Sequence, residues 1–596
     1  MHNASDLLTR WPALEVAGKR ARLQRSLHLS PGPVSGRLRA DAATAGRAAA
    51  AMWRRDPSAW SVAKDVQATI ANRLGWLDSP ALMADSLDRL RTFADSVKRD
   101  GFTDVVLLGM GGSSLAPEVL RSVVGTERGW PRLRMLDSTD PAAIRAAAAP
   151  PAHTLYLLAS KSGTTIEPNT LAAHFRRTLE DAGVARWSDH FVAITDEGTE
   201  LARRARSESF RETFINPSDI GGRYSALSYF GLVPAALMGQ DIAALTGWGL
   251  AMLSASSESA GEGVDGEGVA DNPAIALGLL LGAAAREGRD KLTLLLPPEL
   301  EPFGLWVEQL VAESTGKNGV GVVPIAGEIT GGVSTYGHDR LFVEVRRRNA
   351  GAAAQSTEAG RLEAAGHPTA TIEWDELPAL GAEFVRWEVA TAVAGAILEI
   401  NPFDEPNVKQ AKDATTTLLN AYQSQGALPQ TKPDLTTDAS ITLTASRAAR
   451  EQLAGRPSDA LLTLIRPGDY FALLTYVGPD PDLAGELAAF RNSVRDRTRA
   501  ATMFGVGPRY LHSTGQLHKG GPNTGVFVLI TASPRADLDI PGYPFTFGTL
   551  ELAQALGDFA SLDAAGRRAL HAHLPSADGR LVSVLADALL RQIAVQ

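Results

Sequence analysis

Short apolar runs alternate with amphipathic stretches over much of the chain. Three of these runs, Val105–Gly109, Thr154–Leu158 and Phe191–Thr195, are bounded by polar or turn-forming residues. Near-continuous apolar strands separated by amphipathic helices are typical of a parallel sheet that is covered on both faces. Because Leu292–Leu296 and Leu341–Val345 repeat the pattern, we predict two consecutive α/β units.

The regions around these strands differ in composition. Residues 1–60 are rich in Ala and Arg and contain the break Pro31-Gly32-Pro33, which predicts a helix, a loop and a second helix. The small polar residues of Ser254–Gly263 predict a loop, and the Pro, Thr and Asp residues of 425–445 predict a linker.

Two further apolar runs follow the linker. Tyr470–Tyr476 and Val526–Thr531 predict strands, and a helical pattern occupies residues 481–500 between them. At 596 residues the chain is longer than one typical domain of about 100–200 residues. We therefore predict a helical N-terminal extension at 1–75, α/β domains at 76–240 and 241–430, and a C-terminal α/β domain at 440–596.

Composition narrows the class of protein. The net charge of −9 argues against non-specific nucleic-acid binding, and the absence of cysteine excludes disulfides, thiolate catalysis and cysteine-ligated zinc. The longest apolar stretch, Ala274–Ala285, is too short to span a bilayer comfortably and predicts a buried helix. We expect a cytoplasmic protein with no membrane or nucleic-acid partner.

Two hydroxyl-rich turns follow predicted strands and precede helices. Gly109–Pro117 combines glycines with Ser113, and backbone amides at such a turn can approach an anion. Ser160–Glu167 carries four hydroxyl residues within six positions, although an N-cap needs only one. This surplus of donors favours a phosphate dianion, while a tight glycine turn and a Ser/Thr-rich cap are the simpler alternatives.

One carboxylate and one guanidinium are candidates for chemistry. Glu313 lies near the end of a predicted helix, with Gln309 one turn earlier on the same face. It could act as a proton-transfer base, or the helix could simply end on the surface at Gly316. Arg223 stands in a glycine-rich loop where a planar guanidinium could stabilise an oxyanion or form a structural pair.

Lysines and histidines add weaker candidates. Lys409 and Lys412 lie at the start of a predicted helix, where most lysines are simply solvated. His512 and His518 are six residues apart, which suits neither a shared helix face nor metal ligation. One of them is a candidate acid or base, and a structural role is the alternative for each.

Taken together and in order, these stretches resemble the phosphoglucose isomerase family over roughly residues 75–420. The resemblance is closest to the isomerase half of bifunctional transaldolase/phosphoglucose isomerases, although no transaldolase barrel is visible here. It implies an α/β fold with two doubly wound parallel-sheet sugar-isomerase domains. It rests on the loops at 109–114, 160–165 and 221–225, on Glu-Ser-Thr-Gly-Lys at 313–317, and on Asn-Pro-Phe-Asp leading to Lys412.

The resemblance implies an aldose–ketose isomerase that interconverts glucose 6-phosphate and fructose 6-phosphate through a cis-enediolate, without a metal or redox cofactor. Glu313 would move a proton between C2 and C1, Arg223 would stabilise the enediolate, and Gln309 would position the sugar. Lys412 and a histidine would assist ring opening. The remaining substrate-binding residues would be Gly112, Ser113, Ser160, Lys161, Ser162, Thr164, Thr165, Glu167 and Gly222.

The sequence departs from the family pattern in two places. Glu405 stands where the family has Gln, and residues 318–400 lack the run that carries the family's ring-opening histidine. The nearest similar run includes His518, which we expect to fill this role, with His512 as second choice. The family's histidine comes from a neighbouring subunit and pairs with an acid at the position of Glu167, so a histidine from the same chain would weaken the need for a homodimer.

Other functions remain open at this stage. Sugar-isomerase folds also serve as binding modules, so a non-catalytic sugar-phosphate regulator is one alternative. A partner subunit of a separate transaldolase is another. Mannose 6-phosphate isomerisation could be a side activity, since it needs the same proton transfer.

Overall fold

The computed structural model describes residues 10–258, 269, 271–348, 358–429 and 431–593. The predicted polar loop Ser254–Gly263 is only partly covered: residues 254–258 complete a helix, and the rest of that prediction lies outside the described residues.

Within the described ranges, the strands belong to three sheets. In chain order they are β1 (Leu27–Ser30), β2 (Asp104–Gly109), β3 (Arg132–Leu136), β4 (Thr154–Ala159), β5 (Phe191–Asp196), β6 (Glu212–Asn216), β7 (Lys291–Leu295), β8 (Val323–Ile325), β9 (Arg340–Arg347), β10 (Thr369–Trp374), β11 (Leu435–Thr436), β12 (Thr442–Ala445), β13 (Tyr470–Tyr476), β14 (Ala501–Val506), β15 (Gly525–Ala532) and β16 (Arg568–Leu574).

Helices connect and cover the strands. They are α1 (Val16–Leu23), α2 (Ser35–Trp53), α3 (Lys64–Ala71), α4 (Ser79–Arg99), α5 (Leu115–Val119), α6 (Pro141–Ala147), α7 (Ile166–Asp181), α8 (Glu200–Ser207), α9 (Tyr229–Leu237), α10 (Ile242–Glu258), α11 (Ile275–Arg286), α12 (Phe303–Thr315), α13 (Glu358–Ala364), α14 (Leu380–Ile397), α15 (Val408–Gln425), α16 (Arg447–Leu453), α17 (Pro481–Thr498), α18 (Gly515–Gly520), α19 (Phe547–Ala564) and α20 (Gly579–Leu590). In the described ranges, none of these helices has both the length and the apolarity of a membrane span.

The first sheet has the order β3-β2-β4-β5-β6, and all its neighbouring strands are parallel. Alternate residues of β2 enter different cores: Val105 and Leu107 face one, while Val106 and Leu108 face the other. Both faces of the sheet are therefore buried, which explains the uninterrupted apolar run. The predicted parallel α/β fold is confirmed.

The second sheet has the order β1-β10-β9-β7-β8. Its edge strand β1 comes from the N-terminal region and pairs antiparallel with β10. The expectation of only helix and loop in residues 1–60 was incomplete, because a four-residue strand leaves little pattern in the sequence. The N-terminal region also packs on this unit through the indole of Trp60, which donates to the Ala392 carbonyl at 2.8 Å.

The third sheet has the order β11-β12-β16-β15-β13-β14. The strands β16, β15, β13 and β14 are parallel, and β11 and β12 lie antiparallel at the end opposite β14. The linker prediction for 425–445 was therefore wrong in its second half, which supplies these two strands. Their pattern was hard to recognise because they are short and rich in Thr.

A buried charge network joins the second and third sheets. The guanidinium of Arg340 on β9 contacts the carboxylate of Glu328 at 2.8 Å, and Glu328 accepts from the backbone and hydroxyl of Thr502 on β14. Burial would raise the pKa of Glu328, but the Arg340 charge holds it below its ordinary value. Arg491 adds hydrogen bonds to the Ala326 and Gly327 carbonyls, so the C-terminal unit is fixed against the second sheet.

Replacing Arg340 should destabilise the protein strongly. Arg340→Met leaves the Glu328 carboxylate buried without its partner, which costs about 3–5 kcal/mol. We expect a clearly lower midpoint in thermal unfolding. The matched control is Arg347→Met on the same strand, whose ion pair with Glu299 is half exposed and contributes about 0–1 kcal/mol. Equal midpoints for both variants would contradict the assignment.

Candidate active site

A cavity of about 470 Å³ opens where the carboxyl ends of the first sheet meet α12, α15 and the loop after β14. Ligands of parallel α/β sheets bind at this edge of the strands. The cavity brings together most of the residues singled out in the sequence. Its lining includes Gly112, Ser113, Ser160, Lys161, Ser162, Thr165, Gly222, Arg223, Gln309, Glu313, Glu405, Lys412 and His512.

Two glycines allow separate backbone segments to meet at this cavity. A Cβ on Gly112 would lie 2.1 Å from the Gly222 carbonyl oxygen, and a Cβ on Gly111 would lie 2.4 Å from that of His512. Gly111 also has a φ of +54°, which side chains disfavour. The glycine motif after β2 is therefore required for packing between segments, besides any contact with a ligand.

The hydroxyl-rich loop ends at the N-terminus of α7. Ser160 donates to the Thr165 hydroxyl at 3.3 Å, and the Ser162 and Thr164 hydroxyls are 3.1 Å apart. The Thr165 side chain makes no capping hydrogen bond to α7. Hydroxyls placed at a helix N-terminus suit an anion. Thr164 lines a smaller adjoining cavity of about 160 Å³ instead of the main one.

Lys161 faces the cavity with its charge already partnered. Its ammonium forms an ion pair with the Asp196 carboxylate and donates to the Ser218 carbonyl at 2.9 Å. The ammonium therefore holds the loop after β4 against its neighbours. Because its charge is already paired with Asp196, its electrostatic attraction for an anionic ligand is reduced.

Arg223 is buried and every nitrogen of its guanidinium has a partner. Its Nε donates to Ser314 at 2.7 Å, one terminal nitrogen contacts Glu405 at 3.0 Å, and the other donates to the carbonyls of Pro402 and Asp404. The Glu405-bound nitrogen also lies 3.4 Å from a carboxylate oxygen of Glu313. The arginine thus links α12 to the turn before α15.

Glu313 lies in the last turn of α12, which ends before Gly316 as the sequence predicts. Only 8% of the residue is exposed. Burial raises the pKa of its carboxyl to about 7; Arg223 lowers it, and the negative charge of Glu405 raises it further. Gln309 donates to the other carboxylate oxygen at 3.3 Å. A carboxyl with this pKa can accept and return a proton near neutral pH.

Lys317 stands beside this carboxylate but is committed to the fold. Its ammonium donates to the Asn401 carbonyl at 2.5 Å and to the Asp404 carboxylate at 2.7 Å. Burial and the nearby Arg223 charge lower its pKa to about 8. Its role is to hold the turn that carries Glu405.

His512 enters the cavity from the loop after β14. Its Nε2 lies 2.9 Å from a carboxylate oxygen of Glu167, which also accepts from the Gln554 amide at 2.7 Å. Burial alone would raise the pKa of Glu167, but the His512 contact holds it below its ordinary value. A histidine oriented by a buried carboxylate is suited to proton transfer.

His518 does not reach the cavity, so the first choice for the histidine was wrong. It is only 1% exposed, and its ring packs against Tyr510 and Phe527. Both ring nitrogens lack a hydrogen-bond partner among the described residues, and burial holds its pKa well below the ordinary value. The similar sequence around it misled because Gln516 bonds to Gly316 and Asn407, whereas Leu517 and His518 are buried.

Lys412 lies on α15, lines both cavities and is exposed. Its charge also helps to lower the pKa of Glu167. Three polar residues that the sequence analysis did not single out support the site: Gln554 on α19, Gln516 on α18 and Asn407 before α15. No local motif marks Gln554, because its partner Glu167 lies 387 residues away.

Comparisons with known proteins show what the chain is similar to. The family model for phosphoglucose isomerase matches residues 42–318. This range includes the two hydroxyl-rich turns after β2 and β4, Arg223 and Glu313. A glucose-6-phosphate isomerase of Rubrobacter xylanophilus is 31% identical over 380 residues, covering 54% of this chain and 84% of the relative. One of Citrifermentans bemidjiense is 28% identical over 405 residues, covering 58% and 74%.

The solved structures add support for the fold. A hypothetical protein from Thermus thermophilus superposes with a TM-score of 0.53 at 25% identity, covering 66% of this chain and 99% of that one. The fold, the ordered motifs and the extent of the match to the Rubrobacter protein lead to one conclusion: the chain belongs to the phosphoglucose isomerase family.

Proposed function

We propose that this protein is a glucose-6-phosphate isomerase, which interconverts glucose 6-phosphate and fructose 6-phosphate. The observation that carries the proposal is the buried Glu313 carboxylate, 3.4 Å from Arg223 at the wall of a polar cavity. A base poised near neutral pH beside a fixed cation is the pair of groups that enolisation of a sugar requires. The names of the relatives in the comparisons support the same reaction.

The substrate phosphate would bind at the N-terminus of α7. Ser160, Ser162 and Thr165 offer hydroxyl donors there, and Ser113 lies on the same cavity wall. The helix field adds to these hydrogen bonds, so a dianion is held without a dedicated cation. Gln309 then lies beside Glu313, where its amide can orient the sugar hydroxyls.

Ring opening would precede isomerisation. His512, oriented by Glu167, and Lys412 both line the cavity and can move a proton to or from the ring oxygen and the anomeric hydroxyl. Glu313 would then remove the C2 proton of the aldose and return a proton to C1. Charge develops on the enediolate oxygens, where the Arg223 guanidinium can stabilise it.

General base catalysis accelerates a reaction roughly 10²–10⁴-fold, so electrostatic stabilisation and exclusion of water must supply much of the remaining rate acceleration. This chemistry distinguishes an enzyme from a sugar-phosphate regulator, which needs phosphate donors but no proton base. The cytoplasmic location, a homodimer and an association with a transaldolase stay predictions of the family resemblance.

Replacing the base should slow turnover strongly, whereas the protein should still bind its substrate. Glu313→Gln keeps the shape of the side chain but cannot accept the proton, so we expect kcat to fall by roughly 10²–10⁴-fold. Turnover of fructose 6-phosphate in a coupled assay, with binding by calorimetry, measures both effects. Glu301→Gln, an exposed change just before the same helix, is the control. Near-wild-type turnover in Glu313→Gln would refute the proposed base and favour a regulator.

Removing the histidine should affect ring-closed substrates most. His512→Ala should slow turnover of fructose 6-phosphate more than that of 5-deoxyfructose 6-phosphate, which lacks the hydroxyl that closes the ring. Product formation followed by NMR gives both rates. The exposed His338→Ala is the matched control. An equal loss with both substrates would argue against a role in ring opening.

The pH dependence of kcat/KM should change when Glu405 is replaced. Its negative charge raises the pKa of Glu313, because it disfavours the ionised form. In Glu405→Gln the carboxylate of Glu313 persists to lower pH, so the acidic limb of kcat/KM should shift to lower pH. The substrate phosphate titrates near pH ~6 in both proteins, so only the difference between profiles counts. The exposed Glu399→Gln is the control; an unchanged or opposite shift in Glu405→Gln contradicts the coupling.

A further inference from the structure

We propose that the C-terminal α/β unit is an integral part of the active site and completes it within one chain. This inference rests on the proposed function and concerns where the ring-opening group comes from. The segment Arg509–His512, which follows β14 of the third sheet, supplies His512 to a cavity whose base and phosphate donors belong to the first two sheets.

The backbone of His512 is built into the cavity wall. Its carbonyl oxygen accepts from the Gln309 amide at 2.7 Å, one turn before Glu313 on α12. The same oxygen lies so close to Gly111 that a methyl group there would clash. The glycine turn after β2 and the loop after β14 therefore fit each other directly.

The group that orients the His512 ring is itself held by the C-terminal unit. Glu167 accepts from His512 at 2.9 Å and from Gln554 on α19 at 2.7 Å. The Gln554 side chain in turn accepts from Thr139 at 2.8 Å. The chain of hydrogen bonds thus runs from the first sheet to the third and back within one molecule.

A second contact ties the C-terminal unit to both catalytic segments. The Gln516 amide on α18 donates to the Gly316 carbonyl at 3.0 Å and to the Asn407 side chain at 2.8 Å, and it accepts from the Asn407 backbone. Gly316 ends the helix of Glu313, and Asn407 follows Glu405. One buried side chain therefore fixes the spacing between the base and the turn that holds Arg223.

The support beneath His512 is rigid and buried. Tyr510 donates to the Asp558 carboxylate at 2.7 Å, and Asp558 forms an ion pair with Lys519 at 2.5 Å. Asp558 and Lys519 are almost completely buried, so separating this pair is costly. The loop that carries His512 is accordingly fixed to its own unit as well as to the cavity.

The consequence is that base and histidine of each site belong to the same polypeptide. Glu313→Gln and His512→Ala, co-expressed with different tags, test this. Protein that carries both tags contains one chain of each variant. If each site is built from a single chain, this mixed oligomer should show only the average of the two single-variant rates. If sites were shared in a two-fold dimer, half of the sites in each mixed dimer would regain both groups, and roughly that share of wild-type activity would overturn the proposal.

A dilution series of the wild-type protein covers the case in which the tags never co-purify. A monomer identified by light scattering that retains the full specific activity supports the proposal, and activity that is lost on dissociation to the monomer overturns it. The wild-type rate measured in parallel separates the two claims. An inactive wild type refutes the isomerase function, whereas an active wild type whose variants complement each other refutes only the completion of the site within one chain.

Discussion

The burial of the Arg223 guanidinium is the constraint on which the site depends. A buried cation is stable only when its donors are all satisfied, and those of Arg223 are shared among α12, the turn at 402–405 and the base itself. Meeting this requirement holds Glu313 and Glu405 against the same guanidinium. The raised pKa of Glu313 then follows from burial and from the second carboxylate nearby, which together outweigh the lowering by Arg223.

The three sheets contribute different parts of the same reaction. The first supplies the hydroxyl-lined N-terminus of α7, the second carries α12 with the base, and the third supplies His512 with its support. Their close approach is possible because Gly111 and Gly112 leave room for two neighbouring carbonyl groups. Catalysis and interdomain packing are therefore coupled: a change that separates the sheets also separates the proton donors and acceptors.

The sequence was most informative where the signal is local. The buried strands, the end of α12 at Gly316 and the surplus of hydroxyls at 160–165 are all encoded within about ten residues. The strands β1, β11 and β12 were missed because they are short, and because β1 and β12 pair with strands that are distant in the sequence. The choice between His512 and His518 could not be made locally either, since it depends on a contact with Glu167, which lies 345 residues from His512 in the sequence.

The central claim is that Glu313 carries a proton between C2 and C1 through an enediolate. Isomerisation of fructose 6-phosphate in deuterium oxide, with the glucose 6-phosphate formed analysed by NMR, tests it most directly. A proton held on a carboxylate exchanges with solvent, so the account predicts deuterium at C2 of the product. Efficient conversion with no deuterium at C2, even after substrate and product have interconverted many times in deuterium oxide, would indicate a direct hydride shift and would contradict the account.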